Sequence, residues 1–85
     1  MMLGEKIQFL RKKKGLSITR LSVITGVSKS YISYIERNKQ KSPSLVILLK
    51  LSKALDVELQ ELVYCMEMEG RGEEEIIRGV MGNVI

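Results

Sequence analysis

The chain has 85 residues, a formal net charge of +4, one cysteine and no histidine. That length fits one domain with a modest core, and a lone cysteine excludes an internal disulfide and any multi-thiolate metal site, as suits a reducing cytoplasm. The charge is divided unevenly: residues 1–44 carry ten basic and two acidic side chains, net +8, whereas residues 45–85 carry four basic and eight acidic ones, net −4. The front half therefore suits a polyanion, either nucleic acid or an anionic membrane face, and the back half repels one.

Helix-period patterning dominates the chain. Leu3, Ile7 and Leu10 share a face, and a basic turn from Arg11 to Lys14 precedes Gly15. Cations complement the helix C-terminus and glycine suits its stop, so a first helix is expected over about 3–14. Ser17 is the expected N-cap of a second helix, about 18–25, with Leu21 and Ile24 inward. Its Thr19, Val23 and Thr25 are weak helix formers, so tertiary packing must hold it. Gly26 breaks the pattern, and Ser28 caps a third helix, about 29–37, with Ile32 and Ile35 inward. Residues 38–43 read as a loop, because Asn38 tolerates left-handed geometry and Pro43 blocks continuation. Ser44 caps a fourth helix, about 45–55, striped by Leu48, Leu51 and Leu55. A fifth, about 58–64, carries Leu59, Leu62 and Val63, with Cys65 at the edge of the core beyond it. Past Gly70, Arg71 and Gly72, residues 73–85 begin with three glutamates and continue as an amphipathic pattern broken by Gly79 and Gly82, which fits one short helix.

No strand-like alternation is sustained, and no internal repeat occurs. The longest apolar run, residues 45–49, falls far short of the roughly 18 residues of a membrane helix. The opening MMLGEKIQFL has no apolar stretch ahead of its charges, so no signal peptide is expected. The division expected is a domain over 1–64 and a C-terminal tail over 65–85.

The stretch SKSYISYIERNKQKSPS, residues 28–44, has inward teeth only at Ile32 and Ile35, yet carries two tyrosines, five serines and four basic residues. Two helices joined by a short glycine-containing turn make a helix-turn-helix unit, whose second helix enters the DNA major groove with its N-terminal residues on base edges. On that reading Lys29, Ser30, Ser33 and Tyr34 face outward as base readers. Lysine donates to guanine O6 and N7, serine pairs with several base edges, and Tyr34 offers a phenol to phosphate or a ring to a thymine methyl. Arg37, Asn38, Lys39, Lys41, Ser42 and Ser44 follow as phosphate contacts, with Ser17, Thr19 and Arg20 for the opposite backbone strand. A plain polar helix face is the competing account of Lys29, Ser30 and Ser33. Tyr31 fits the edge of the core better than a contact, and Lys12 to Lys14 fit a solvated helix end.

Residues 4–63 resemble the phage-repressor/Cro type of helix-turn-helix domain, the XRE family. The matching phrases are I-x-x-L-R from Ile7, G-L-S from Gly15, T-G-V-S from Thr25, Y-I-S-Y-I-E-R from Tyr31, P-S at Pro43, and L-x-x-L-S-x-A-L-D-V from Leu48. The phrase at 28–44 is most like the SinR-like branch, repressors of developmental genes in spore-forming bacteria. The resemblance implies an all-α fold: a five-helix lambda-repressor-like helix-turn-helix domain with a recognition helix at 29–37. It also implies that Arg11 pairs with Glu36 to brace the first helix against the reader. Glu36 is the sole acid between Lys6 and Asp56, which agrees. Two departures stand out. Ile18 occupies the place where the family often has a phosphate-bracing glutamine, with Thr19 a partial substitute. Ser22 and Ser52 replace small alanines, and each buried hydroxyl then needs a partner.

Enzymatic readings lack parts: there is no histidine, no phosphate-cradling glycine loop, and the acids at 67, 69 and 73–75 fall in the tail. No cofactor or metal is expected. The expectation is a transcriptional regulator, a repressor that binds double-stranded DNA as a homodimer on a two-fold operator in the cytoplasm at the bacterial nucleoid, with no membrane partner. Residues 73–85 are the candidate dimerisation element, against packing back on the domain. The rivals are a protein-interaction module or antitoxin-like component whose tail binds a protein partner, and a general nucleic-acid binder without sequence choice.

Overall fold

Three of the helix starts are built from serine. Ser17 accepts a hydrogen bond from the Arg20 amide at 3.0 Å, Ser28 from Tyr31 at 3.1 Å, and Ser44 from Ile47 at 3.3 Å. Each satisfies an amide that the first helical turn leaves without a partner. The first helix starts differently, with the Met2 amide donating to Glu5 Oε1 at 3.1 Å. A computed structural model describes residues 2–70, with side chains placed through Met66. Its elements are α1 (Leu3–Lys13), α2 (Ile18–Thr25), α3 (Lys29–Glu36), α4 (Leu45–Leu55) and α5 (Leu59–Gly70). No strand occurs among the described residues.

The core is one cluster drawn from every helix: Leu3, Ile7 and Leu10 of α1, Leu21 of α2, Ile32 and Ile35 of α3, Leu48, Leu51 and Leu55 of α4, and Leu62 of α5. Val27 joins it from the α2–α3 turn. The stripes on α1, α3 and α4 are those expected. Ile24 is a correction, because it is 50% exposed and α2 buries only Leu21. The left-handed turn at Gly26 (φ 77°) folds the chain back, and Val27 fills the core position instead. That turn is braced by side chains. Thr25 Oγ1 donates to the Leu21 carbonyl at 2.7 Å and accepts from the Val27 amide at 3.1 Å, and Ser22 Oγ donates to the Val27 carbonyl at 2.6 Å. Ser52 Oγ donates to the Leu49 carbonyl at 2.8 Å. Both substituted serines thus have the partner that burial demands.

The fifth helix is a second correction. It begins at Leu59 and runs to Gly70, not to 64, so the expected junction at 64/65 lies inside it, as does half-buried Cys65. Nothing in residues 65–69 stops a helix, and no glycine or proline intervenes before Gly70. Smaller differences fall at two ends, where Lys14 and Arg37 are cap residues beyond the last helical turn. The element expected over 73–85 lies outside the described residues.

Two contacts fix α3 against α1. Arg11 and Glu36 are both almost fully buried and meet in a forked pair, Nε to Oε2 at 2.7 Å and Nη2 to Oε1 at 3.0 Å. The third guanidinium nitrogen donates to the Leu16 carbonyl at 2.7 Å, so one side chain ties α1, the α1–α2 turn and α3 together. At the other end, Gly4 sits against the last turn of α3. A Cβ on Gly4 would lie 2.8 Å from the Glu36 carbonyl oxygen and closer still to that of Ile35.

Candidate nucleic-acid interface

Burying Ile32 and Ile35 fixes which side of α3 faces outward. Lys29 and Ser30, at the N-terminal end, are exposed, Ser33 is half-buried, and Tyr34 is 53% exposed. All four border one shallow depression, shared with Arg37 and with Ile18 from the start of α2. Arg37 stacks its guanidinium 5.6 Å from the Tyr34 ring centroid, and its Nε donates to the Ser33 carbonyl at 3.4 Å. The ring is thereby braced by a cation–π contact. Ile18 takes the place where a polar phosphate contact was missed in the sequence, and it forms an apolar wall.

The flanks carry the other candidates. Thr19 and Arg20 are exposed at the start of α2 beside the capping Ser17. Lys39, Lys41, Ser42 and Ser44 are exposed on the α3–α4 loop and cap. Ser17 and Ser44 use only an oxygen lone pair in capping, which leaves each hydroxyl hydrogen for an outside acceptor. The loop is tied to α3, because the amides of Lys39 and Gln40 both donate to the Tyr34 carbonyl, at 2.8 and 3.2 Å.

Asn38 is the correction in this set. It has a left-handed backbone (φ 59°), and its side chain turns inward toward α1. Its Oδ1 is buried without a hydrogen-bond partner beside Gly4, and its Nδ2 approaches Met2 Sδ at 3.9 Å. Its amide is bonded to the Ile35 carbonyl at 3.0 Å. The residue shapes the α1–α3 junction, with its backbone amide already bonded and its Nδ2 turned toward Met2. Gln40 was missed: it is half-buried against the tyrosines, and its Oε1 accepts from the Ser42 amide at 3.3 Å. An uncharged residue in a basic loop gave no signal in the sequence.

Ion pairing separates two kinds of cation. Lys14 pairs with Asp56, and Lys6 lies 3.9 Å from Glu61, so acids of the second half quench cations of α1. Among the described residues Arg20, Lys29, Arg37, Lys39 and Lys41 have no acidic partner. The Arg11–Glu36 pair lies behind the surface. Hydrogen bonding to Glu36 raises the Arg11 pKa, burial opposes the shift, and the neighbouring negative charge reinforces it. Lys12 and Lys13 on α1 and Lys50 and Lys53 on α4 are also without an acidic partner, so the α3 face holds five of the nine unpaired cations among the described residues.

Residues 7–62 match the helix-turn-helix family model. The chain belongs to the helix-turn-helix family. It is 47% identical over 78 residues to the transcriptional regulator SlrR of Bacillus subtilis, covering 87% of this chain and 51% of that protein. It is likewise 47% identical over 62 residues to SinR of the same organism, covering 73% of this chain and 56% of SinR. The chain thus spans about half the length of the curated relatives it matches. The fold superimposes on the crystal structure of SinR in complex with DNA with a TM-score of 0.70 at 47% identity, covering 73% of this chain and 98% of that one. A SinR/SinI protein complex matches with a TM-score of 0.70 at 41% identity, over 94% of this chain and 79% of that chain. The five-helix expectation and the SinR-like resemblance both stand. Among the described residues no helix is long and apolar enough to cross a membrane.

Proposed function

We propose that this chain is a sequence-specific DNA-binding transcriptional regulator and not an enzyme. It acts as a repressor that lays α3 in the major groove of a two-fold operator, in the bacterial cytoplasm at the nucleoid. The observation that carries this reading is the outward cluster of Lys29, Ser30, Ser33 and Tyr34 on a buried, braced helix, flanked by cations without acidic partners. The four would read base edges. Ser17, Thr19 and Arg20 on one side, and Arg37, Lys39, Lys41, Ser42 and Ser44 on the other, would hold phosphates. The relatives' names and the DNA-bound SinR structure support it.

One module makes few base contacts, so affinity requires two copies on half-sites about one helical turn apart. Residues 73–85 carry apolar side chains beyond the described domain and are the proposed dimerisation element. Removing 73–85 lowers the mass seen by light scattering while helicity is kept; an unchanged mass would refute that role. A protein antagonist bound through the tail is the second reading, favoured by the match to a SinR/SinI complex over 94% of this chain.

The test is selection from a random duplex library at about 150 mM salt, near physiological ionic strength. A two-fold-symmetric motif is expected. In the selected operator, Lys29→Ala costs about 1–3 kcal/mol on the best site and little elsewhere. Equal weakening on every sequence would remove its base-reading role, and no enrichment by folded protein would leave the protein-interaction reading.

A further inference from the structure

Tyr34 divides the outer surface of α3 into two depressions. The first is bordered by Lys29, Ser33, Arg37 and Ile18, with Ser30 and Tyr34 shared between the two. The second lies on its other side and is lined by Ser28, Ser30, Tyr31, Tyr34 and Gln40. The first has cations at its edge and the second has none. Its walls are two phenol rings, and its rim is uncharged.

The polar groups around the second depression are sorted by their partners. Ser28 Oγ accepts from the Tyr31 amide, which holds it in the helix cap and leaves its hydroxyl hydrogen as a further donor at the rim. Gln40 Oε1 accepts from the Ser42 amide at 3.3 Å, which fixes the orientation of its amide and leaves the NH2 group as the free end. Ser30 Oγ has no hydrogen bond among the described residues. Gln40 is held in place because its own amide and that of Lys39 donate to the Tyr34 carbonyl. The Tyr34 ring is held from the other side by Arg37. The Tyr34 ring, held by Arg37, and the Tyr31 ring, packed against the core, therefore stand next to free donors.

A base edge that fits needs an apolar group for the rings and an acceptor for the donors. In the major groove thymine alone offers both, its C5-methyl and O4. Cytosine offers an amino donor and no methyl. Guanine and adenine offer acceptors with no apolar group. 5-Methylcytosine has the methyl, but its amino donor would face the Gln40 amide donors.

We propose that the depression between Tyr31, Tyr34 and Gln40 is a thymine-selecting site, with the rings taking the C5-methyl and Gln40 or Ser30 donating to O4. This rests on α3 being the groove-inserting helix, and it adds Gln40 as a specificity residue beside the four base readers.

The experiment uses the full chain and its library-selected operator, with each thymine replaced singly by deoxyuridine, which removes only the methyl. Binding is followed by fluorescence anisotropy. One thymine in each half-site is expected to show about fourfold weaker binding on replacement, the factor that burial of one methyl gives. Tyr34→Phe keeps that sensitivity and Tyr34→Ala loses it. Tyr34 is half exposed, so its removal opens no core cavity, and a circular-dichroism melt checks that both variants fold. At the sensitive position a 5-methylcytosine·guanine pair is expected to bind no better than cytosine·guanine. Indifference to every deoxyuridine, or sensitivity unchanged in Tyr34→Ala, overturns the proposal while leaving the selected motif intact. Binding of 5-methylcytosine equal to thymine overturns the thymine assignment. If folded protein enriches no motif, sequence reading fails and this site fails with it.

Discussion

Three residues behind the outward face, Glu36, Arg11 and Gly4, decide how well that face is aimed. Glu36 is 9% exposed and takes both of its hydrogen bonds from Arg11, itself 8% exposed. Removing one partner of a buried pair leaves an uncompensated charge and typically costs about 3–5 kcal/mol. Glu36→Gln is therefore expected to lower stability by about that amount, read from the urea midpoint. A loss under about 1 kcal/mol, the worth of an exposed pair, would show that water reaches the bridge. The raised Arg11 pKa gives the sign of its pH dependence: the contribution is complete below the ordinary arginine range and is lost only as pH rises through the still higher folded-state value. Arginine titration therefore adds no stability change across the neutral range. Gly4 acts by being small. A methyl there meets backbone carbonyls of Ile35 and Glu36, which cannot swing aside as a side chain would. Gly4→Ala is expected to cost about 1–3 kcal/mol, the usual penalty of overpacking, with a matching fall in the thermal midpoint.

Among elements, the α2–α3 turn sets the angle between the supporting helix and the presenting one. Gly26 holds φ at 77°, and nothing lies within 4 Å of an added Cβ. The cost of Gly26→Ala is then one of backbone conformation, about 1–2 kcal/mol. A second expected effect is weaker DNA binding out of proportion to that loss, because α3 is re-aimed. Titrating variant and parent at a temperature where both are folded separates the two; equal affinity would show that the turn has no aiming role. Most of these elements could be read from the chain because serine marks their starts at 17, 28 and 44 and leucine or isoleucine marks their inner faces. The extent of α5 was legible too but was placed too short, since Cys65, Met66, Glu67, Met68 and Glu69 carry no stop signal and Gly70 is the first residue that does. Ile24 was misplaced because, in a helix as short as α2, spacing alone does not show that a later turn residue will fill the core. At the interface, Ile32 and Ile35 made Lys29, Ser30, Ser33 and Tyr34 legible by fixing the opposite face. The inward turn of Asn38 depends on α1 arriving from more than thirty positions away, and local pattern carries no trace of it.

For the molecule as far as it is described, a cation's place in the fold matters more than its half of the chain. Lys14 belongs to the basic half, yet Asp56 of the acidic half is its partner, whereas Lys41 stands on the α3–α4 loop with no acid beside it. Phosphate contacts release counterions, so each one adds about 0.9 to the slope of log K against log salt. Lys41→Ala is expected to weaken binding on all sequences and to flatten that slope by about one. Lys14→Ala, which removes the same formal charge, is expected to leave the slope unchanged and to lower stability by no more than about 1 kcal/mol, since its pair is exposed. The comparison holds net charge constant between the two variants and changes only its place. A slope that falls equally in both would mean that total charge and not the α3 face governs binding, the behaviour of a general nucleic-acid binder. A slope unchanged by Lys41→Ala would remove that residue from the phosphate contacts and leave Arg20, Arg37 and Lys39 to carry them.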